Sequence, residues 1–138
     1  DPPINVNSNT ENLYKIYVEN LPSFYFGVTY VEDEIDTNFS CTSFIKMRNN
    51  YSSSQFNEHT EIENIKVTAV HEFFHSIQFG YNCYEKLWLM EATAVWSEDQ
   101  LYNSINDLYR YMPSWFSNPQ KSLNDESYHM YGSFIFFQ

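Results

Sequence analysis

Thr60-Glu61-Ile62-Glu63-Asn64-Ile65-Lys66-Val67-Thr68-Ala69-Val70-His71-Glu72-Phe73-Phe74-His75-Ser76-Ile77-Gln78-Phe79-Gly80 is the stretch from which the chain is read. Thr60 and Glu63 form the pattern T-x-x-E, a capping box that satisfies two free amides at a helix start. Glu61 and Glu63 suit the positive end of the helix dipole. Ile62, Ile65, Ala69 and Phe73, together with Val70, Phe74 and Ile77, recur at helical spacing and predict a broad buried face. Gly80 is the expected residue just past the end. The spacing therefore predicts a helix of about five turns over 61–79.

Within that helix, His71-Glu72-Phe73-Phe74-His75 reads H-E-x-x-H. Residues four apart share a helix face, so His71 and His75 can ligate one metal ion. Glu72 is turned away by one residue and is the candidate general base toward a water at that metal. The competing reading is a solvated polar face, because Asn64, Thr68, His71, His75 and Gln78 form one stripe at helical spacing. A catalytic zinc takes three protein ligands. The longer pattern H-E-x-x-H-x-x-G-x-x-H is absent: Gln78 stands where its glycine would be and Tyr81 where its third histidine would be. His59, His129 and the carboxylates of Glu85, Glu91, Glu98 and Asp99 remain.

Glu91 is the candidate third ligand. It interrupts Leu87-Trp88-Leu89-Met90-Glu91-Ala92-Thr93-Ala94-Val95-Trp96, which is otherwise almost wholly apolar. An ionised carboxylate in such a segment costs several kcal/mol unless paired. Ala92 and Ala94 are small enough to let this second helix, expected over about 87–102, approach the first. The competing reading puts Glu91 on a wet stripe with Glu98, seven residues on. Glu98, followed by Asp99 and Gln100, reads as a solvated end.

His71-Glu72-Phe73-Phe74-His75 followed by Trp88-x-x-Glu91-Ala92-x-Ala94-x-Trp96 resembles the gluzincins, zinc peptidases of the thermolysin-like clan, and is similar to a group of secreted bacterial metalloproteases. The resemblance is best over residues 40–138. It implies a zincin-like fold and Zn2+ held by His71, His75 and Glu91, with Glu72 as base. It also implies a downstream oxyanion donor, for which Tyr131, His129 and Tyr128 are candidates, and a peptide paired with the strand over 43–48 as sheet edge. Thermolysin itself carries an aspartate four residues after the ligand glutamate, where this chain has Val95. The partner of a ligand histidine is therefore sought in Glu98, Asp99 or a backbone carbonyl. The interval between the motif and the third ligand is also shorter here.

The remainder of the chain fits one domain. Residues 1–12, rich in Pro and Asn, read as an arm or linker, and 13–138 as the folded domain, expected to be a fragment of a longer protein. Lys15–Glu19, Phe24–Glu32 and Cys41–Arg48 read as strands, Asn49–Asn57 as a polar loop. A short helix capped by Ser104 or Asp107 is expected to stop near Pro113, with loop over Ser117–Glu126 and a last helix from about Tyr128. Strands followed by helices predict an α+β fold, with a small N-terminal antiparallel or mixed sheet.

Seven basic against 18 acidic residues give a net charge of −11, which argues against nucleic acid or an anionic membrane as partner. The two cysteines, Cys41 and Cys83, either form a disulfide, which fits an exported protein, or remain buried thiols. No targeting segment or membrane span is visible, and the expected location is secreted or extracytoplasmic. Three functional readings follow: a zinc endopeptidase acting on peptide or protein substrates, a catalytically inactive zinc-stabilised binding domain, or a recognition domain with an accidental motif. Oligomeric state is not encoded in any pattern here.

Overall fold

The computed structural model describes residues 13–35 and 39–138; the arm expected over 1–12 lies outside them. A three-stranded mixed sheet leads into helices, as the α+β reading requires. The strands are β1 (Ile16–Glu19), β2 (Gly27–Glu34) and β3 (Cys41–Arg48), in the order β1-β3-β2. β3 runs parallel to β1, with Ile16 opposite Ile45, and antiparallel to β2, with Gly27 opposite Met47. β3 is thus the central strand, hydrogen-bonded on both sides. This corrects the expectation that residues 43–48 form the sheet edge: β1 and β2 are the edges.

β2 starts three residues later than expected, and Arg48 supplies the reason. Its Nε donates to Tyr25 O at 2.7 Å, and its Nη2 donates to Leu21 O at 2.9 Å and to Pro22 O. The guanidinium also lies over the Phe56 ring, 4.8 Å from its centroid. A buried cation that takes its acceptors from one short segment holds Leu21–Phe26 as a turn, despite its strand-like composition.

The first long helix, α1, spans Glu61–Asn82. Its capping box is present: Thr60 Oγ1 accepts from Glu63 N–H, and Glu63 Oε2 accepts from Thr60 N–H at 2.9 Å. The expected stop at Gly80 is overrun by two residues, up to the cap at Cys83. Cys83 is tied twice, by a disulfide to Cys41 at the start of β3 and by its N–H to Phe39 O at 2.9 Å. A Cβ on Gly80 would meet nothing within 4 Å, so the glycine is simply a helical residue facing open space.

The orientation of α1 overturns half of the expected buried face. Asn64, Val67, Thr68, Glu72, His75 and Ser76 are buried, while Ile62, Ile65 and Phe73 are 57%, 41% and 39% exposed. Val70, Phe74 and Ile77 are half-buried, and the Phe74 ring lies 6.2 Å from that of Trp96. The polar stripe faces inward because it is internally bonded. Asn64 Nδ2, for instance, donates within 2.9–3.2 Å of Phe56 O, His59 O and Thr60 O.

The second helix, α2 (Leu87–Tyr102), packs against α1 through Ala92, Ala94 and Val95, all fully buried. A 3-10 turn over Asp107–Tyr111 leads into α3 (Met112–Ser117), which Pro113 begins rather than ends. Proline is compatible with a first helical turn, where its missing N–H has no partner to lose. α4 (His129–Gly132) follows, and Val95, Leu108 and Phe134 form the core beneath it.

Two outcomes test this packing. Asn64→Ala is expected to cost about 1–3 kcal/mol in urea unfolding, against about 0.5 kcal/mol or less for Ile62→Ala. A buried Ile62 would reverse that order. Removing the Cys41–Cys83 bridge, which spans a sequence separation of 42, is expected to cost about 4 kcal/mol by the chain-entropy relation. Paired Cys→Ser substitution and denaturant titration read that loss.

Candidate functional site

His71 and His75 project from α1 toward Glu91 on α2. One donor atom from each lies within 4.8 Å of the others, a cluster that could hold a metal ion. His71 Nε2 is 3.0 Å from His75 Nε2 and 3.1 Å from Glu91 Oε2, and His75 Nε2 is 3.6 Å from Glu91 Oε1. Ligands about 2.05 Å from a tetrahedral ion stand about 3.3 Å apart, so these separations match one face of such a polyhedron.

The protons give an independent argument. His71 Nδ1 lies 2.6 Å from Glu98 Oε1, and His75 Nδ1 lies 2.7 Å from Gln78 Oε1. Gln78 presents its oxygen because its Nε2 donates to Met90 O at 3.0 Å and to Thr93 Oγ1 at 2.7 Å. Thr93 in turn donates to Leu89 O at 2.7 Å. Both imidazoles thus face acceptors at Nδ1, which places the proton there in the neutral ring. Both Nε2 atoms then converge with a carboxylate oxygen on one point, which favours positive charge there, either a metal ion or a second proton on His71.

Charge around the cluster has the same bias. Burial opposes a proton on His71, yet its hydrogen bonds to Glu91 and Glu98 and their charges raise its pKa well above the usual value. Burial likewise opposes ionisation of Glu91, but His71 and His75 outweigh it and hold the carboxyl far below the usual range. Burial dominates at Glu98 and pushes it up to about 7, with His71 offsetting only part. Glu98, read from the sequence as a solvated end, is only 4% exposed. The seven-residue spacing does put it on the face of Glu91, but that face meets His71 instead of water.

Glu72 is held from the sheet side. The Thr29 hydroxyl on β2 lies 2.7 Å from Glu72 Oε2 and 2.8 Å from Glu72 O. Gly27 allows that approach: a Cβ there would stand 2.7 Å from Thr68 Cγ2 and 2.8 Å from Glu72 Cγ. Two clefts flank the cluster, of about 290 and 390 Å³, and Tyr25, Gly27, His71, Glu72 and Tyr131 line both. Tyr131 is stacked on Tyr111 with ring centroids 5.1 Å apart. Burial, then the charges of Glu91 and Glu72, raise its pKa and keep the hydroxyl a donor. His129 lines neither cleft. Two residues away on α4, and so nearly on the opposite face, it is buried and stacked on Trp115 at 4.0 Å.

Comparison of the chain with protein-family models, with curated proteins and with solved structures finds no match.

His71, Glu72, His75, Glu91 and Tyr131, all legible in the sequence, come together. Thr29 and Gly27 carry no sequence signal, since nothing local links β2 to α1 across more than forty residues. Gln78 had one, as the last member of the polar stripe. Thr29→Val removes the donor from the buried Glu72 carboxylate and is expected to cost about 1.5–3 kcal/mol, with Thr29→Ser recovering most of it in denaturant titrations.

Proposed function

We propose that this chain is a zinc-dependent endopeptidase domain of the gluzincin kind, with His71, His75 and Glu91 as metal ligands and Glu72 as general base. The observation that carries the reading is the convergence of two Nε2 atoms and the Glu91 carboxylate beside a glutamate held on the same clefts. Histidine nitrogen and carboxylate oxygen at three positions are the donor set of a catalytic zinc, whereas structural sites close with four ligands.

When bound, zinc supplies Lewis acidity toward a water and toward a carbonyl oxygen. The chain's own groups do the rest. Thr29 occupies Glu72 Oε2, which leaves Oε1 to take a proton from water and pass it to the leaving amine. Glu98 and Gln78 fix the two imidazoles in the tautomer and orientation that ligation needs. Tyr131, kept protonated, donates to the developing oxyanion.

The β2 edge positions an extended peptide. Phe26 O accepts from Arg48 N–H, so antiparallel alternation turns the N–H and C=O groups of Gly27 and Thr29 away from β3. Both residues line the cleft, which favours strand addition there. The disulfide fits an oxidising, extracytoplasmic location, and among the described residues no helix is long and apolar enough to cross a membrane. A zinc-stabilised binding domain without catalysis would have no use for a glutamate so held.

Zinc content and peptide hydrolysis, measured side by side on three proteins, test the reading. Wild type and Glu72→Gln are expected to hold about one zinc per chain, and Glu91→Ala much less. Glu72→Gln is expected to lose at least about a hundredfold in turnover. Undiminished zinc in Glu91→Ala, or undiminished turnover in Glu72→Gln, would overturn it.

A further inference from the structure

We infer that the cleft on the Glu98 side of the cluster receives a tyrosine side chain of the substrate. The inference rests on the reading of these clefts as a peptide site. Phe26, Tyr111, Tyr128 and Tyr131 supply aromatic walls to this cleft of about 290 Å³, a volume equal to about ten waters of liquid. Among those walls lies an opposed pair, Arg110 and Asp107.

Arg110 is held by long contacts. Its Nη1 donates to Asp107 Oδ1 at a long 3.4 Å, and its Nε stands 3.5 Å from Glu58 Oε2. The guanidinium rests over the Phe26 and Tyr111 rings, at 5.1 and 5.6 Å from their centroids, and interacts with the Tyr128 hydroxyl. Asp107 Oδ1 is shared with His59 Nε2 at 3.0 Å. The Arg110 side chain is 23% exposed, so the donors that these contacts leave over face the water of the cleft, where a guest can replace it.

The charges select the guest by elimination. A carboxylate would meet Glu72, Glu98 and Asp107, all on the same cleft. An ammonium would be drawn to those carboxylates, but Glu72 is already held by Thr29, Glu98 by His71 and Asp107 by His59 and Arg110, and it would meet the guanidinium over the aromatic wall. A plain phenyl ring would fill the apolar volume but strip water from the pair and return no hydrogen bond. A phenol packs its ring against the aromatic walls, accepts from the guanidinium and donates to a carboxylate. Tyrosine offers all three without changing charge, whereas a neutral histidine would take up a proton beside Glu72, Glu98 and Asp107 and meet Arg110 as a cation.

Blocked pentapeptides that differ only in a central Tyr, Phe, Glu or Lys test this in two ways. Wild-type, zinc-loaded protein is expected to cleave the Tyr peptide with kcat/KM at least about tenfold above Phe, because a site built to hydrogen-bond a hydroxyl discriminates against its absence. Zinc-loaded Glu72→Gln, which needs no turnover, is expected to bind the Tyr peptide at least about tenfold tighter, with a shift of the Arg110 Nε–H resonance. Tyrosine-selective binding without any hydrolysis would keep this inference and sink the peptidase reading. Equal Tyr and Phe peptides, preference for Glu or Lys, or no binding by any of the four would overturn it. Arg110→Met is expected to erase the Tyr-to-Phe ratio; an unchanged ratio would count against the inference, and the wild-type comparison stands without that variant.

Discussion

His71 is enclosed between two carboxylates of the neighbouring helix, and the rest of the structure is arranged around that enclosure. Glu98 meets its Nδ1 at 2.6 Å and Glu91 its Nε2 at 3.1 Å. Taking three ionisable groups out of water costs several kcal/mol each unless they satisfy one another. The cluster does so only if α1 turns its polar stripe toward α2 and the sheet. The apolar residues Ile62, Ile65 and Phe73 are left on the outside as a consequence. Hydrophobic periodicity ordinarily sets which face of a helix is buried. Here a bonded polar network sets it, with Asn64 and Thr68 continuing the same inward stripe toward the helix start.

The sheet is subordinate to the same site. Arg48 gathers the carbonyls of Leu21, Pro22 and Tyr25, which shortens β2 and folds Phe24–Phe26 over the cleft. Gly27 then lets the strand pass against Glu72 at a distance that any side chain would prevent, and Thr29 makes the contact polar. The disulfide fastens the opposite end, where β3 begins and α1 stops. Strand and helix are thus pinned at both ends of their shared face, with the His71, His75 and Glu91 cluster beside it.

Much of this was legible in the sequence, and the reasons separate cleanly. The capping box, the extent of α2 and β3, and the His71, Glu72, His75 and Glu91 set rest on local spacing or on the cost of a lone acid in an apolar run. Local rules transmit such signals well. The edge of the sheet is not legible locally, because pairing order is a property of non-local contacts: β3 is central only because β1 returns parallel to it. Gly80 reads as a stop because nothing local reveals that Cys83, three residues on, is fastened to Cys41. Glu98 is a candidate partner of a ligand histidine in the sequence and does meet His71 Nδ1, but its burial has no local signal. Its neighbours Asp99 and Gln100 are polar, yet helical geometry carries it to the face of Glu91 and buries it.

The two clefts meet at Glu72 but differ in chemistry, and the difference follows from which elements wall them. One is closed by the turn that Arg48 holds and by the aromatic run from Tyr111 to Tyr131, with Arg110 and Asp107 among the rings. The other is bounded by Val28, Phe79, Leu87 and Met90, side chains of β2 and of the facing ends of α1 and α2. A chain laid along the open edge of β2 would cross from one to the other. It would present one side chain to hydrogen-bonding groups and the next to apolar ones. On the reading proposed here, selectivity is therefore asymmetric about the reacting bond. That asymmetry originates in the turn before β2 as much as in the His71, His75 and Glu91 cluster itself.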